Sequence, residues 1–254
     1  MSIYSVALKT IVRKEITRFL RIWIQTLLPS VITMALYFLI FGNFIGSRIK
    51  IQGFNYVDFI APGLIMMAVI TNSYSNVVSS FFSTKFQKNV EELLVSPTPS
   101  WVIICGYSCG GILRGLLVGF MVSLVSLFFT RLAVFSVLII FVYVVLTAIV
   151  FSLAGLLNAI FAKKFDDISI VPTFVLTPLT YLGGVFYSVA ALPKIWQYVS
   201  MANPILYMIA GFRYGFLGIS DINIWFGLGM LIVFAVSLFT INLYLIKKGT
   251  GLRS

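Results

Sequence analysis

The sequence has no histidine, only seven acidic residues and two cysteines among its 254 positions. Without histidine it lacks the commonest metal ligand and the side chain best suited to proton transfer near neutral pH. Cys105 and Cys109 sit one helical turn apart and read as small apolar fillers, so no metal site is expected. No G-x-x-x-x-G-K-[ST] run occurs, and nothing in the chain would cradle the phosphates of a nucleotide. Asp58, Asp166, Asp167 and Asp221 fall at the ends of apolar runs, and Glu15, Glu91 and Glu92 in polar segments. A proton- or sodium-coupled carrier would need an ionisable group inside the membrane, and a hydrolase its catalytic acids and bases. Linkers, low-complexity tracts and strong internal repeats are missing as well, which leaves one domain over residues 1–254.

What the chain does have is apolar surface: 60% of its residues are hydrophobic and 10% charged, too little polar material to coat a soluble globule. An all-α integral membrane protein is the expected class. The net charge of +11 lies at the ends of apolar runs, where it orients a membrane chain; no nucleic-acid partner is implied. The first apolar run is too long, and too late, for a cleavable signal peptide.

Residues 2–21 form a basic amphipathic helix. Leu8, Val12, Ile16, Phe19 and Trp23 share one side and Lys9, Arg13, Lys14, Arg18 and Arg21 the other, as in a helix lying in the headgroup plane. It either floats on the membrane or grips a partner; Glu15, near the apolar edge, favours a partner, with Arg18 at i+3 available to neutralise it. Spans are expected at about 22–46, 58–82, 110–129, 132–161, 168–189 and 222–246. Residues 101–111, Gly-rich, read as interfacial, and Arg114 as snorkelling to the cytoplasmic face. Residues 191–218, interrupted by Pro193 and Asn203-Pro204, are too short in each piece to cross and read as a re-entrant helical hairpin. Six spans put Lys9, Arg13, Lys14, Arg18, Arg21, Lys85, Lys88, Lys163, Lys164, Lys247, Lys248 and Arg253 on one side. Only Arg48, Lys50, Arg131, Lys194 and Arg213 fall on the other, so both termini are expected in the cytoplasm.

Two spans are unusual. In the second, Asn72, Asn76, Ser79 and Ser83 recur at i, i+4, i+7 and i+11, a polar stripe that turns away from lipid, either for helix packing or as a substrate-facing wall. The fifth carries Pro172, Pro178, Gly183 and Gly184, which bend or break a helix where protein or water can satisfy the backbone. Between spans two and three lies a charged island, residues 85–99. Phe86, Val90, Leu93 and Leu94 take one helical face, Ser83 or Thr84 caps the start, and Pro97 and Pro99 end it. Such a helix needs a partner surface, lipid or protein.

The string Glu92-Leu93-Leu94-Val95-Ser96-Pro97, the run from Leu176 to Tyr187, Leu192-Pro193, Asn203-Pro204 and Gly211-Phe212-Arg213-Tyr214-Gly215, in this order along essentially the whole chain, resemble the membrane subunit of type-2 ABC exporters. The resemblance implies a homodimer of six-span subunits in the bacterial inner membrane, paired with two copies of a separate ATPase that binds ATP and Mg; this chain would hold no cofactor. It makes residues 85–99 the coupling helix, with Phe86, Val90, Leu93 and Leu94 the apolar contact and Glu91 and Glu92 the charge complement. Residues 2–21 become the interfacial helix beside it. The path would run along spans two and five, through Asn72, Asn76, Ser79, Thr177, Thr180 and Tyr181. Pro178, Gly183, Gly184, Asn203 and Pro204 would serve the bend and the extracellular gate. An amphipathic or apolar substrate, moved out of the cytoplasm or inner leaflet, suits a path without buried charge. An ATP-independent channel or carrier, or a scaffold that moves nothing, are the alternatives.

Overall fold

In lipid the backbone must satisfy its own hydrogen bonds. The computed structural model, which describes residues 3–46 and 49–252, is accordingly helical apart from one antiparallel ribbon, β1 (Lys50–Ile51) and β2 (Phe54–Asn55). Ser2, Arg48 and Arg253, used above for the first helix and the charge balance, lie outside the described residues.

Among the described residues, five helical stretches are long and apolar enough to cross a membrane. The first, Trp23–Gly42, is assembled from α2 (Trp23–Thr26), α3 (Leu28–Tyr37) and part of a π-helix over Phe38–Ile45. Pro29 accounts for the break between α2 and α3, because it has no N–H to donate to the preceding turn. The others are α4 (Tyr56–Phe86), α6 (Ser100–Ser126), α7 (Val137–Phe161) and α12 (Ile224–Lys248). Asn223 caps α12 by accepting from the amides of Trp225 and Phe226.

Helix α4 is the axis of the molecule. α6 and α7 pack along it, with α3 and α11 (Pro204–Leu217) adding to the sheath. Close approach depends on α6, where Gly111, Gly115 and Gly119 face α4. A Cβ at Gly111 would stand 2.5 Å from Val77 Cγ2, and one at Gly119 2.6 Å from Val69 Cγ2. Gly106 and Gly110 face α1 (Ile3–Arg21) instead, where a Cβ would come within 2.6 Å of Ile11 and Glu15. Small residues at these spacings let helix backbones meet inside a membrane domain. They also correct the reading of residues 101–111 as a separate interfacial piece: the glycines seat neighbouring helices without breaking their own, and the helix starts at Ser100, not 110.

Other expectations change for local reasons. The fourth long helix begins at Val137, not 132, because the preceding stretch is extended and the amides of Phe135 and Ser136 donate to Gly215 O at the end of α11. Residues 168–189 do not form one span-length helix. They divide into α8 (Asp167–Val171), a π-turn (Pro172–Leu176) and α9 (Thr177–Tyr181), five residues each. At about 1.5 Å per residue these reach roughly 22 Å, short of the ~30 Å hydrocarbon core. Pro178 is the cause: its ring excludes the ordinary bond to the carbonyl four residues back, and the turn before it widens to the i−5 pattern. Gly184, at φ +74°, then reverses the chain in a backbone conformation that glycine adopts without strain. The carboxylate of Asp167, where α8 opens, accepts from the amides of Lys163 and Lys164, which hold it below the usual carboxylate range.

Residues 191–218 are two short helices, α10 (Lys194–Met201) and α11, broken at Asn203-Pro204. Asn203 caps α11 through Ile205 N and donates its amide to Leu179 O, tying the break to α9.

Candidate functional site

The expected coupling segment is reorganised. α4 continues through Ser83 and Thr84, so neither caps anything; Thr84 Oγ1 donates to Ser80 O within the helix. Phe86 is the last residue of α4, and a left-handed Lys88 (φ 61°) turns the chain into α5 (Asn89–Val95), which ends before Pro97 and Pro99. The four apolar residues therefore do not share one open face. Val90 is 2% exposed, packed on its own subunit, and Leu93 and Leu94 are half-buried against the core. What α5 turns outward is Glu91, Glu92 and Val95, the last 89% exposed. Phe86 projects from the neighbouring turn and meets the ring of Phe82 at a tilt and that of Phe165 edge-on, at ring distances of 6.0 and 4.9 Å. Between α4, the end of α7 and the C-terminal tail lies a cavity of about 470 Å³, lined by Phe82, Phe86 and Phe161 with Lys85, Lys88 and Glu91. Lys85 donates to Ile160 O and Ala162 O, completing the C-terminal turn of α7.

Helix α1 lies against α6, with Ile11, Glu15 and Phe19 buried and Arg13, Lys14 and Arg21 exposed. Glu15, expected near the edge, is 0% exposed: it accepts from Ser80 Oγ at 2.6 Å and pairs with Arg18 at 3.4 Å. Its reward comes from α4 of the same subunit, not from an outside partner. Arg18 reaches past it to Asn76, donating to the backbone carbonyl at 3.0 Å and to Oδ1 at 2.8 Å. One turn further along α4, Asn72 donates to Ser30 Oγ and Ala68 O, and accepts from Arg114. Arg114 does not snorkel. Since α6 starts at Ser100, Arg114 lies about four turns in, buried, with its guanidinium on Thr26 O and Asn72 Oδ1. A girdle of polar contacts thus joins α1, α2, α3 and α6 to α4. Asn72 and Asn76, expected on the path, both turn into it, although Asn76 Nδ2 is buried without a partner.

The open side of α4 is a neighbouring stripe. Nearly every residue from Phe59 to Phe82 is buried; those left open are Met67, Thr71, Ser75 and Ser79, at i, i+4, i+8 and i+12, with Ser83 continuing the line. The hydroxyls of Thr71 and Ser79 bond back to carbonyls of α4 itself. α8 and the π-turn lie alongside α4. On the broken helix Thr177 is exposed and its hydroxyl donates to Pro172 O, the carbonyl that also takes its backbone amide across the π-turn, whereas Thr180 is buried and bonded to Leu176 O. Tyr181 meets Tyr37 of α3 hydroxyl to hydroxyl at 2.8 Å, and Phe186 packs beside both rings.

Beyond Tyr181 the chain is pinned by a residue not expected to matter. Arg213 of α11 was counted on the outer side, within the re-entrant hairpin, and it is 5% exposed. Its Nε donates to Phe59 O at 3.1 Å, and Nη2 to Gly184 O at 2.6 Å and Val185 O at 3.4 Å; the guanidinium lies 3.9 Å above the Phe59 ring. Asp221 closes the same end from outside, accepting from Gln52 Nε2, Ser188 Oγ and Val189 N. The bend residues Pro178, Gly183, Gly184, Asn203 and Pro204 therefore converge with Arg213 on one end of α4: Gly63 of α4 leaves room for Val185, and Gly183 for Ile205 of α11. The one sequence signal for Arg213 was an arginine inside an otherwise apolar segment. Among the described residues no group of His, Cys, Asp and Glu could hold a metal ion, and both cysteines are free.

Comparison with known proteins places this geometry. The model of the ABC-2 type transporter family matches residues 6–217. The inner membrane transport permease YadH of Escherichia coli strain K12 is 62% identical over 255 residues, covering 100% of both chains. Nodulation protein J of Rhizobium meliloti strain 1021 is 20% identical over 238 residues, 93% of this chain and 91% of the relative. Its counterpart in Rhizobium leguminosarum bv. viciae is 22% identical over 200 residues, 78% and 77% of the two.

Proposed function

This chain belongs to the ABC-2 type transporter family, as a membrane permease component, and from that premise we propose that it is one half of a homodimeric, ATP-driven exporter of the bacterial inner membrane. A separate ATPase subunit binds ATP and Mg and docks on α5. Both termini lie in the cytoplasm, and the broken helix α8–α9 with the segment up to residue 189 makes the fifth of six crossings. Phe86, Glu91, Glu92 and Val95 meet the ATPase, with Val90, Leu93 and Leu94 fixing α5 to its own subunit. Coupled motion passes from α5 through Lys88 to α4.

The observation that carries this reading is the open stripe on α4. A helix sheathed on every other side by its own subunit, yet leaving a line of small hydroxyl residues uncovered, is poorly matched to lipid and well matched to a path at the centre of a dimer. Met67, Thr71, Ser75 and Ser79 offer a neutral, mixed surface, as an amphipathic or apolar substrate requires. Thr177 and Tyr181 continue it, and Asn72, Asn76 and Thr180 support it from within. The bend at Pro178, Gly183 and Gly184, backed by Asn203-Pro204, is the outer gate. Export as the direction follows from the resemblance.

Cysteine at position 75, with Cys105 and Cys109 replaced by alanine, tests this in native membranes. We expect a short bifunctional thiol reagent to convert most of the chain to a covalent dimer, with the yield changing on ATP addition. Cysteine in place of Tyr244, exposed on α12, should yield none. Crosslinking through position 244 but not 75 would place the dimer centre, and the path, elsewhere.

A further inference from the structure

The outer face of α1 holds a second feature, independent of transport. An open groove of about 600 Å³ lies along it, and its lining includes Arg13, Lys14, Thr17, Arg18, Arg21 and Ile22. Four cations line it and no carboxylate does. Glu15, the nearest acid in sequence, points inward to Ser80 and, of the four cations, pairs with Arg18. We propose that this groove is a seat for the headgroup of an anionic phospholipid of the cytoplasmic leaflet, its phosphate among the four cations and its glycerol end toward Ile22.

Position argues for a lipid over a protein. The helix breaks at Ile22 (φ −111°, ψ 33°), and the first crossing stretch begins at the next residue, Trp23, itself half-exposed as interfacial tryptophans are. The cations therefore stand within a few turns of the level where the chain enters the bilayer, next to an apolar lining residue. The attraction of an anionic leaflet is worth roughly a fivefold gain in binding per basic residue at this depth. Arg18 gives the site a consequence. The guanidinium that lines the groove also holds Asn76 of α4, so an occupied headgroup seat braces the junction of α1 with the central helix.

The purified full chain in a neutral detergent tests this by thermal unfolding, with dioleoyl phosphatidylglycerol titrated against dioleoyl phosphatidylcholine. We expect a saturable rise in the unfolding midpoint with the first lipid alone, and native mass spectrometry to retain it on the protein. The triple variant Arg13→Gln, Lys14→Gln, Arg21→Gln should bind on the order of 100-fold more weakly while unfolding in phosphatidylcholine as the wild type does. Should the triple variant fold poorly, Arg13→Lys with Arg21→Lys keeps the test alive, because it preserves the charge and should preserve the response. An equal rise with both lipids, or an unchanged response in the triple variant, overturns the proposal. So does the same rise with inorganic phosphate alone, which would make this a free-anion site. Loss of ATPase association in the triple variant without any lipid response would make the face a protein-docking surface instead.

Discussion

Arg213→Met should unfold at a temperature about 5–15 °C below the wild type. Arg213 supplies buried donors to the carbonyls of Phe59, Gly184 and Val185, and the bond to Gly184 O is short. Methionine fills similar space and relieves the cost of burying a cation, but it takes the donor away from Gly184 O and Val185 O, while Phe59 O keeps its partner within α4. Each unpaired buried acceptor costs about 1–3 kcal/mol, and the relief offsets only part of this, so a net loss of roughly 2–4 kcal/mol follows. For a chain of this size that converts to the stated shift. Gly184 makes the position sensitive, because its reversed backbone presents a carbonyl that no helix or strand takes up. Lysine, reaching one carbonyl with a single ammonium, should fall between. An unchanged midpoint in the methionine variant would show that Arg213 does not hold the end of the broken helix against α4.

Val95→Asp should abolish energy coupling and leave the membrane fold intact. The side chain is almost wholly in solvent in the isolated subunit, so aspartate costs the fold almost nothing. In an assembled transporter the same position would be covered, and a carboxylate there would be desolvated without a partner beside Glu91 and Glu92. Losing a central apolar contact alone costs about 2 kcal/mol, or at least ~30-fold in association with the ATPase. Transport should fall accordingly, with the unfolding midpoint unchanged. Val90→Asp makes the complementary control: buried on its own subunit, it should unfold the region. Undiminished association in the Val95 variant would move the docking face off α5.

Much of this arrangement was legible in the chain, and the misreadings have physical causes. Proline and glycine chemistry marked the break at Asn203-Pro204 and the bend near Pro178, since both follow from a missing N–H or a missing Cβ. Depth along the membrane could be estimated from charge, but neighbours could not. Arg114 was assigned to the surface because the start of its helix was hidden by glycines that serve two contacts at once. Arg213 was read as part of the re-entrant hairpin without a partner, because its partners are carbonyls of residues 154 and 29 positions away. On α4 the polar period was visible, yet a wheel does not tell which of two adjacent stripes is sheathed. Asn72 and Asn76 turned to the girdle, and Thr71 and Ser75 to the open side. The island at 85–99 looked like one helix because its apolar spacing is helical throughout; the left-handed turn at Lys88 carries no such signal.

The most direct test of the account is to purify the tagged chain gently from its native host and identify what accompanies it. The account predicts a stoichiometric second protein bearing a nucleotide phosphate loop, crosslinkable from a cysteine at position 91 or 95 and lost in Val95→Asp. If no such ATPase accompanies the chain, even after crosslinking from α5, then α5 is only a surface helix and the chain is not the membrane half of an ATP-driven transporter.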